Sequence, residues 1–272
     1  MIVDIHCHVY PDAIAERAVA GIGNFYSMPL VNKGTLSDLS RVHDAAGVTH
    51  ALVFSVATTP HQTASVNRFV ADLVQKGEGR FVGLGTVHPD SPDLRGDIET
   101  ILSLGLRGVK LHPDIQGFKI DDYRCLKIYE LCEGRLPILM HCGDHRFDYS
   151  NPNRMAPILD IFTELKVLGA HLGGWSVWED AVEMLAKYPN FSVDTSSSLY
   201  ALSPEKAKDI VRRFGADRVF FGTDYPMWPV TDELSRLHAL GLTAEEEEKI
   251  LYGNAVREFG FKDRTQESCH FR

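Results

Sequence analysis

The chain has 272 residues, 44% hydrophobic and 24% charged, with a formal net charge of −9. That length supports a sizeable core without disulfide or structural-metal staples, and an acidic balance with no clustered Lys/Arg stripe excludes general nucleic-acid binding. No apolar run approaches the roughly 20 residues of a membrane span, and the five cysteines (Cys7, Cys125, Cys132, Cys142, Cys269) are odd in number and scattered, so free thiols in a reducing cytoplasm are expected.

Residues 2–6 read as a strand, followed by a long irregular stretch carrying Gly21-Ile-Gly23. A helical pattern spans 36–46, then a buried strand 50–55 and a helix 61–76. Strand 81–86 is followed by helix 92–104 with Pro92 in its first turn. Strand 108–111, helix 122–133, strand 137–141 and helix 153–165 come next. Strand 167–171, helix 176–187, strand 191–194, helix 204–214 and strand 218–222 continue the alternation. Helices at 232–240 and 244–259 close the chain, the second opening with the acidic run Glu245 to Glu248, where negative charge suits the helix dipole. Eight strands, each followed by a helix, predict parallel β-α-β units closed into a (β/α)8 TIM barrel of the α/β class, one domain over 1–272. An open doubly wound sheet would carry a Gly-rich phosphate loop after its first strand, and His6-Cys-His8-Val-Tyr-Pro offers none.

Barrel active sites lie at the C-terminal ends of the strands, and the polar residues there form a set. The first strand ends in His6-Cys-His8, two imidazoles on one face of a strand. The fourth ends in Lys110-Leu-His112-Pro, the fifth in His141-Cys-Gly-Asp144, the sixth in His171-Leu-Gly-Gly, and the eighth in Gly222-Thr-Asp224-Tyr-Pro. Any one of these histidines alone is more readily a hydrogen-bonded core residue; their coincidence at one mouth points to a metal site. Imidazole and carboxylate suit zinc and similar divalent ions, with one position left open for water. Asp224 fits the role of a base taking that water's proton, and His171 that of orienting or charge-stabilising it. Cys7 and Cys142 neighbour these residues but face the opposite side, which reads as core packing.

The order His6-x-His8, His141, His171 and Asp224 on strands one, five, six and eight resembles the amidohydrolase superfamily. The phrases VKLHP, MHCGD, GAHLGG, FGTDYP and YGNAVREF resemble the branch containing aminocarboxymuconate semialdehyde decarboxylase, resorcylate-type decarboxylases and small-ring lactone hydrolases. The resemblance covers essentially the whole chain. It implies one divalent metal, zinc ahead of manganese, held by His6, His8, His141 and Asp224, with His171 catalytic beside it. The stretch after the first strand is shorter than the substrate-binding excursion of many decarboxylases in that branch.

Lys110 and His112 share a strand parity and both are candidates to face the substrate, Lys110 as an ammonium paired with a carboxylate rather than as a carbamate bridging two metals. Arg146 is a candidate grip for a substrate carboxylate. Trp175, Trp178, Tyr225 and Trp228 are candidates to wall an apolar pocket or to pack between barrel and helices; Phe25, Tyr26 and Met28 are candidates for a lid. The expected activity is metal-dependent hydrolysis of a small ester, lactone or amide, with non-oxidative decarboxylation of a small carboxylated ring or enoate as the alternative. A nuclease or phosphoesterase would favour a glutamate at the fourth strand end, which VKLHP lacks. The partner expected is a small molecule, with no nucleic acid and no membrane; a homodimer fits the habit of soluble enzymes.

Overall fold

The computed structural model describes residues 1–262, so Cys269 lies outside the described residues. Its strands are β1 (Val3–His8), β2 (His50–Phe54), β3 (Phe81–Gly83), β4 (Val109–Leu111), β5 (Ile138–Met140), β6 (Val167–Gly169), β7 (Phe191–Asp194) and β8 (Val219–Phe220). The helices are α1 (Asp12–Tyr26), α2 (Leu36–Ala46), α3 (Thr63–Lys76), α4 (Leu94–Ser103), α5 (Pro113–Gln116), α6 (Tyr123–Cys132), α7 (Pro152–Ile161), α8 (Trp178–Leu185), α9 (Pro204–Phe214), α10 (Val230–Ala239), α11 (Ala244–Glu248) and α12 (Asn254–Phe259), the last two joined by a π-helical turn. All pairings between neighbouring strands are parallel, β1 to β3 in one ladder and β4 to β8 in the other. The two ladders meet where Gly85 pairs with Val109 and Cys7 with Tyr225. The seams carry bonds from Lys110 N–H to Gly85 O (2.7 Å), Ile5 N–H to Phe221 O (2.9 Å) and His8 N–H to Tyr225 O (2.8 Å). The ring is therefore closed, as the β-α alternation predicts.

Strand parity sorts the core into two layers. Val3, Ile5, Leu52, Phe54, Leu84, Leu139, Leu168 and Phe220 fill the lumen together with Phe259 and Phe261, a packed barrel interior rather than a pore. Val53, Val109, Leu111, Ile138, Met140 and Val193 face the helices. The register of β1 against β2 shifts between Asp4 and Cys7. A bulge of this kind re-aims side chains, and here it lets His6 join Ile5 on the inner side while Cys7 turns out to the helix layer. Cys7 and Cys142 are fully buried in that outer layer, as expected for packing residues.

The main departure from the sequence reading follows the first strand. The stretch after the first strand is not irregular: residues 12–26 form α1, a 15-residue helix ending at Ser27 in the left-handed region (φ 54°). Gly23, which reads as a helix breaker, is instead a close-approach residue, since a Cβ there would lie 2.9 Å from the Met28 carbonyl oxygen. The returning chain 27–30 packs against the helix through that gap.

Behind the mouth, the buried Asp4 carboxylate ties the first and last strands to α2. It accepts from the backbone N–H groups of His6 (3.1 Å) and Thr223 (3.0 Å), from the Thr223 hydroxyl (2.5 Å), and contacts His43 Nε2 (3.1 Å). Among the described residues no helix is long and apolar enough to cross a membrane.

Candidate active site

Six of the predicted residues, His6, His8, His112, His141, His171 and Asp224, converge at the C-terminal mouth. His6 Nδ1 donates to Asp194 Oδ2 at 2.8 Å, so its Nε2 carries a lone pair. That Nε2 lies 3.3 Å from His8 Nε2, 3.3 Å from Asp224 Oδ1 and 3.4 Å from Lys110 Nζ; His8 Nε2 is 3.6 Å from the same carboxylate oxygen. His171 Nδ1 lies 3.1 Å from the Ser196 carbonyl and must donate to it, leaving Nε2 bare and 3.0 Å from His141 Nδ1. Burial comes first among the causes holding His6, His8, His112 and His141 well below the ordinary histidine pKa, followed by neighbouring Lys110 or other imidazoles. These rings are neutral and able to ligate at neutral pH.

This arrangement pairs acceptor with acceptor. An unprotonated imidazole nitrogen and a carboxylate oxygen 3.3 Å apart repel each other in a buried site unless a cation lies between them. The spacing is that of a tetrahedral ligand shell, whose edge is about 3.3 Å for metal–nitrogen bonds of about 2.0–2.1 Å. His6, His171 and Asp224 offer ligand atoms all within 4.8 Å of one another, and so do His112, Asp114 and His141. His141 Nε2 has no hydrogen-bond partner and lies 3.5 Å from Asp114 Oδ2. Protonated at Nε2 toward Asp114, His141 would turn a second bare nitrogen toward His171, again an arrangement a cation completes. The donor set fits a divalent metal.

Other contacts were not anticipated. Asp194, the last residue of β7, and Ser196, just past it, orient the imidazoles: Ser196 Oγ lies 3.0 Å from His6 Nδ1 and 2.9 Å from His171 Nδ1, and it also bonds Asp194. Ser197 donates to Asp224 Oδ2 (2.5 Å) and accepts from Trp228 Nε1 (2.8 Å). Asp114 is pushed up to about 6, chiefly by burial. Tyr26 Oη lies 3.0 Å from His112 Nε2, and burial, then Asp224, raises its phenol well above the ordinary tyrosine range. His171 (φ 62°), Ser197 (44°) and Asp224 (57°) sit in the left-handed region that side chains rarely adopt, and strain of this kind clusters at functional sites.

Lys110 is fully buried beneath the imidazoles, 5.1 Å from the Phe54 ring centroid, and burial lowers it to about 8. It makes no ion pair among the described residues, so the expected carboxylate pairing is corrected: its nearest polar partner is His6 Nε2 (3.4 Å), and Asp194 and Asp224 act on it only at longer range. His112 stacks on His141 (3.9 Å between centroids). Arg146 lies at the rim, its guanidinium on Asp144 (2.7 and 2.9 Å) and on the Phe25 carbonyl (2.8 Å). Trp175 stands edge-on to Tyr26 (5.3 Å). Trp178 and Tyr225 pack instead of walling the site, one bonded to Ser198 and the other to Thr35 and Asp38.

Two small cavities occupy the mouth. One of about 20 Å³ is lined by His8, His112, His141, His171, Asp224 and Tyr26 among others; one of about 10 Å³ is bounded by Tyr26, Met28, Trp175, Tyr200 and Trp228 with Asp224 and His171. Tyr26 and Met28 do cover the site. A groove of about 920 Å³ follows α1 and residues 27–35, but it contains none of the converging imidazoles, so size alone misplaces the chemistry.

Comparison with known proteins agrees with this geometry. An uncharacterised TIM-barrel protein from Bordetella bronchiseptica matches with a TM-score of 0.78 at 23% identity, over 95% of this chain and 98% of its own. A 5-carboxyvanillate decarboxylase from Novosphingobium aromaticivorans, determined with bound manganese, matches at 0.73 and 17%, over 96% and 97%. A putative 2-pyrone-4,6-dicarboxylic acid hydrolase from Pseudomonas putida matches at 0.67 and 17%, over 97% and 98%. Further matches include dihydroxybenzoate decarboxylases. At these identities the likeness shows the fold. The amidohydrolase family model matches residues 3–261, and the chain belongs to the amidohydrolase family.

Proposed function

We propose that this chain is a metal-dependent, non-oxidative decarboxylase of a small carboxylated ring, placing that alternative ahead of hydrolysis. The observation that carries the reading is the character of the mouth: imidazoles and Asp224, a donor set that fits a divalent cation, lie under a roof of Tyr26, Trp175, Tyr200 and Trp228, which suits a planar ring whose carboxylate would meet that cation. Several barrels that this chain resembles are named decarboxylases. His6, His8, His141 and Asp224 would hold one divalent ion, manganese or zinc. When bound, that ion supplies electrophilic stabilisation of negative charge on the substrate oxygens.

The chain's own groups do the rest. Trp175, Trp228 and Tyr26 exclude water and pack the ring. Asp224 relays a proton from solvent to the ring carbon as the carbon–carbon bond to the carboxylate breaks. The electron pair of that bond stays on the ring carbon and takes the proton, carbon dioxide leaves, and solvent reloads Asp224. His171 faces the same cavity, where a bare Nε2 would accept a hydrogen bond from a substrate hydroxyl.

The second reading, hydrolysis, is favoured by one feature. The cavity of about 20 Å³ beside His8, His171 and Asp224 has the size of a single water, which Asp224 could deprotonate as it attacks a carbonyl carbon. Manganese-loaded protein incubated with 5-carboxyvanillate and related carboxylated phenols, and separately with lactones and aryl esters, separates the two. Carbon dioxide matching substrate loss supports the first reading. Acid release from lactones or esters without carbon dioxide replaces it with the second.

A further inference from the structure

Tyr26 enters the site from α1, outside the barrel strands, and where its proton points follows from the tautomer of His112. The Ile115 N–H at the start of α5 is shared between the His112 carbonyl (3.2 Å) and His112 Nδ1 (3.4 Å), so the side chain caps the helix by accepting at Nδ1. A neutral imidazole that accepts at Nδ1 carries its proton on Nε2. That Nε2 lies 3.0 Å from Tyr26 Oη, so the imidazole donates and the phenol oxygen accepts. The Tyr26 O–H is then left with no acceptor among the described residues, and the side chain borders both cavities that contain His171 and Asp224. An unused donor at the edge of a buried cavity is a recognition element rather than a structural one, because a structural hydroxyl would be paired inside the protein.

The ring is held from several sides. It stands edge-on to Phe25 (4.8 Å) and to Trp175 (5.3 Å). The Arg146 guanidinium lies 5.1–5.4 Å from the centroids of Phe25, Tyr26, Phe147 and Trp175. Since Arg146 is also bonded to Asp144 and to the Phe25 carbonyl, the end of α1 is pinned to the loop after β5, and the hydroxyl is placed before any ligand arrives.

We propose that Tyr26 is a specificity-determining residue: its hydroxyl donates to an anionic oxygen of the bound substrate, a carboxylate or a phenolate, while His112 Nε2–H holds the phenol oxygen in position. The proposal deepens the decarboxylase reading and rests on it only for the choice of ligand. Manganese-loaded wild type and Tyr26→Phe are titrated calorimetrically with 5-carboxyvanillate, and metal content is measured on both. A hydrogen bond to a charged group predicts binding weaker by about ten- to a hundredfold in Tyr26→Phe, with metal content unchanged. Equal affinity in the two proteins overturns the proposal.

Nitrogen-15 spectra of the histidine rings in the wild type provide a test that needs no ligand. His112 protonated at Nε2 supports the assignment; protonation at Nδ1 would make Tyr26 the donor to His112 and overturn it. If wild type fails to bind 5-carboxyvanillate, the decarboxylase reading fails on its own, and the His112 tautomer still decides whether the Tyr26 proton is free for a ligand.

Discussion

Replacing Asp194 with Asn probes the chemistry of the site without touching a proposed ligand. The carboxylate accepts from His6 Nδ1 (2.8 Å), from the backbone N–H groups of His171 (3.1 Å) and Ser196 (3.0 Å), and from the Ser196 hydroxyl. In Asp194→Asn the amide oxygen can keep the Oδ1 partners, but the NH2 group then meets the His6 Nδ1–H, donor against donor. The imidazole resolves this by moving its proton to Nε2, the atom that faces His8 and Asp224 at 3.3 Å, and the lone pair available to a metal is lost. Removing an orienting carboxylate of this kind costs about 10- to 100-fold in metal affinity, or about 1.4–2.8 kcal/mol. Competition of the protein with a fluorescent chelator for zinc or manganese measures the change, with circular dichroism checking the fold. A folded Asp194→Asn protein that binds metal within about twofold of wild type would refute the tautomer argument.

His171→Ala is expected to keep its metal and to lose most turnover; loss of metal by elemental analysis would make His171 a ligand instead, in line with its grouping with His6 and Asp224. Arg146→Met keeps much of the apolar packing but removes the bonds to Asp144 and Phe25 O, so amide exchange over residues 23–28 should quicken by about tenfold or more, on the scale of a lost charged hydrogen bond; unchanged exchange would remove Arg146 as the pin. The metal-free protein should lose stability on acidification. His6, His8, His112 and His141 have folded pKa values well below 6.5, so the unfolded chain takes up protons first as the pH falls through that value. The slope is up to about 1.4 kcal/mol per pH unit for each such histidine. Asp114, held up to about 6, acts in the opposite sense over about pH 4–6 and offsets part of it. A melting temperature equal at pH 7.5 and 5.5 would contradict this.

The barrel was legible in the sequence because buried parallel strands are apolar runs that helices separate, and His-x-His stood out because both residues follow such a run. Three features were hidden for physical reasons. α1 was masked by Gly21 and Gly23, since a glycine kept for close approach reads the same as one that breaks a helix. Asp194 and Ser196 were hidden because Asp-Thr-Ser-Ser-Ser at the end of β7 has the composition of any polar loop; only their position on the closed ring turns them toward His6 and His171. Lys110 was expected to meet a carboxylate, but its partners are set by which strands sit opposite it across the lumen, which local sequence does not encode. The unread signal at β7 was placement: a strand end with Asp and Ser, in a barrel whose other strand ends carry histidines, belongs to the same mouth.

The site combines two kinds of residue that sequence patterns treat differently. The imidazoles that face the cavity come from strand ends and are visible as motifs. What makes them usable is a second set of carboxylates behind them, Asp194 on His6 and Asp114 beside His141, each on a different element from the ring it orients. An imidazole has one proton when neutral, and a carboxylate behind the ring decides which nitrogen keeps it. With Asp194 accepting from His6 Nδ1–H and the Ser196 carbonyl from His171 Nδ1–H, bare nitrogens are turned inward toward Asp224. Burial then keeps His6, His8, His112 and His141 from acquiring a second proton. Convergence of bare nitrogens on a carboxylate is costly in an empty pocket and favourable around a cation, so metal affinity in this protein should follow the outer carboxylates as closely as it follows the histidines.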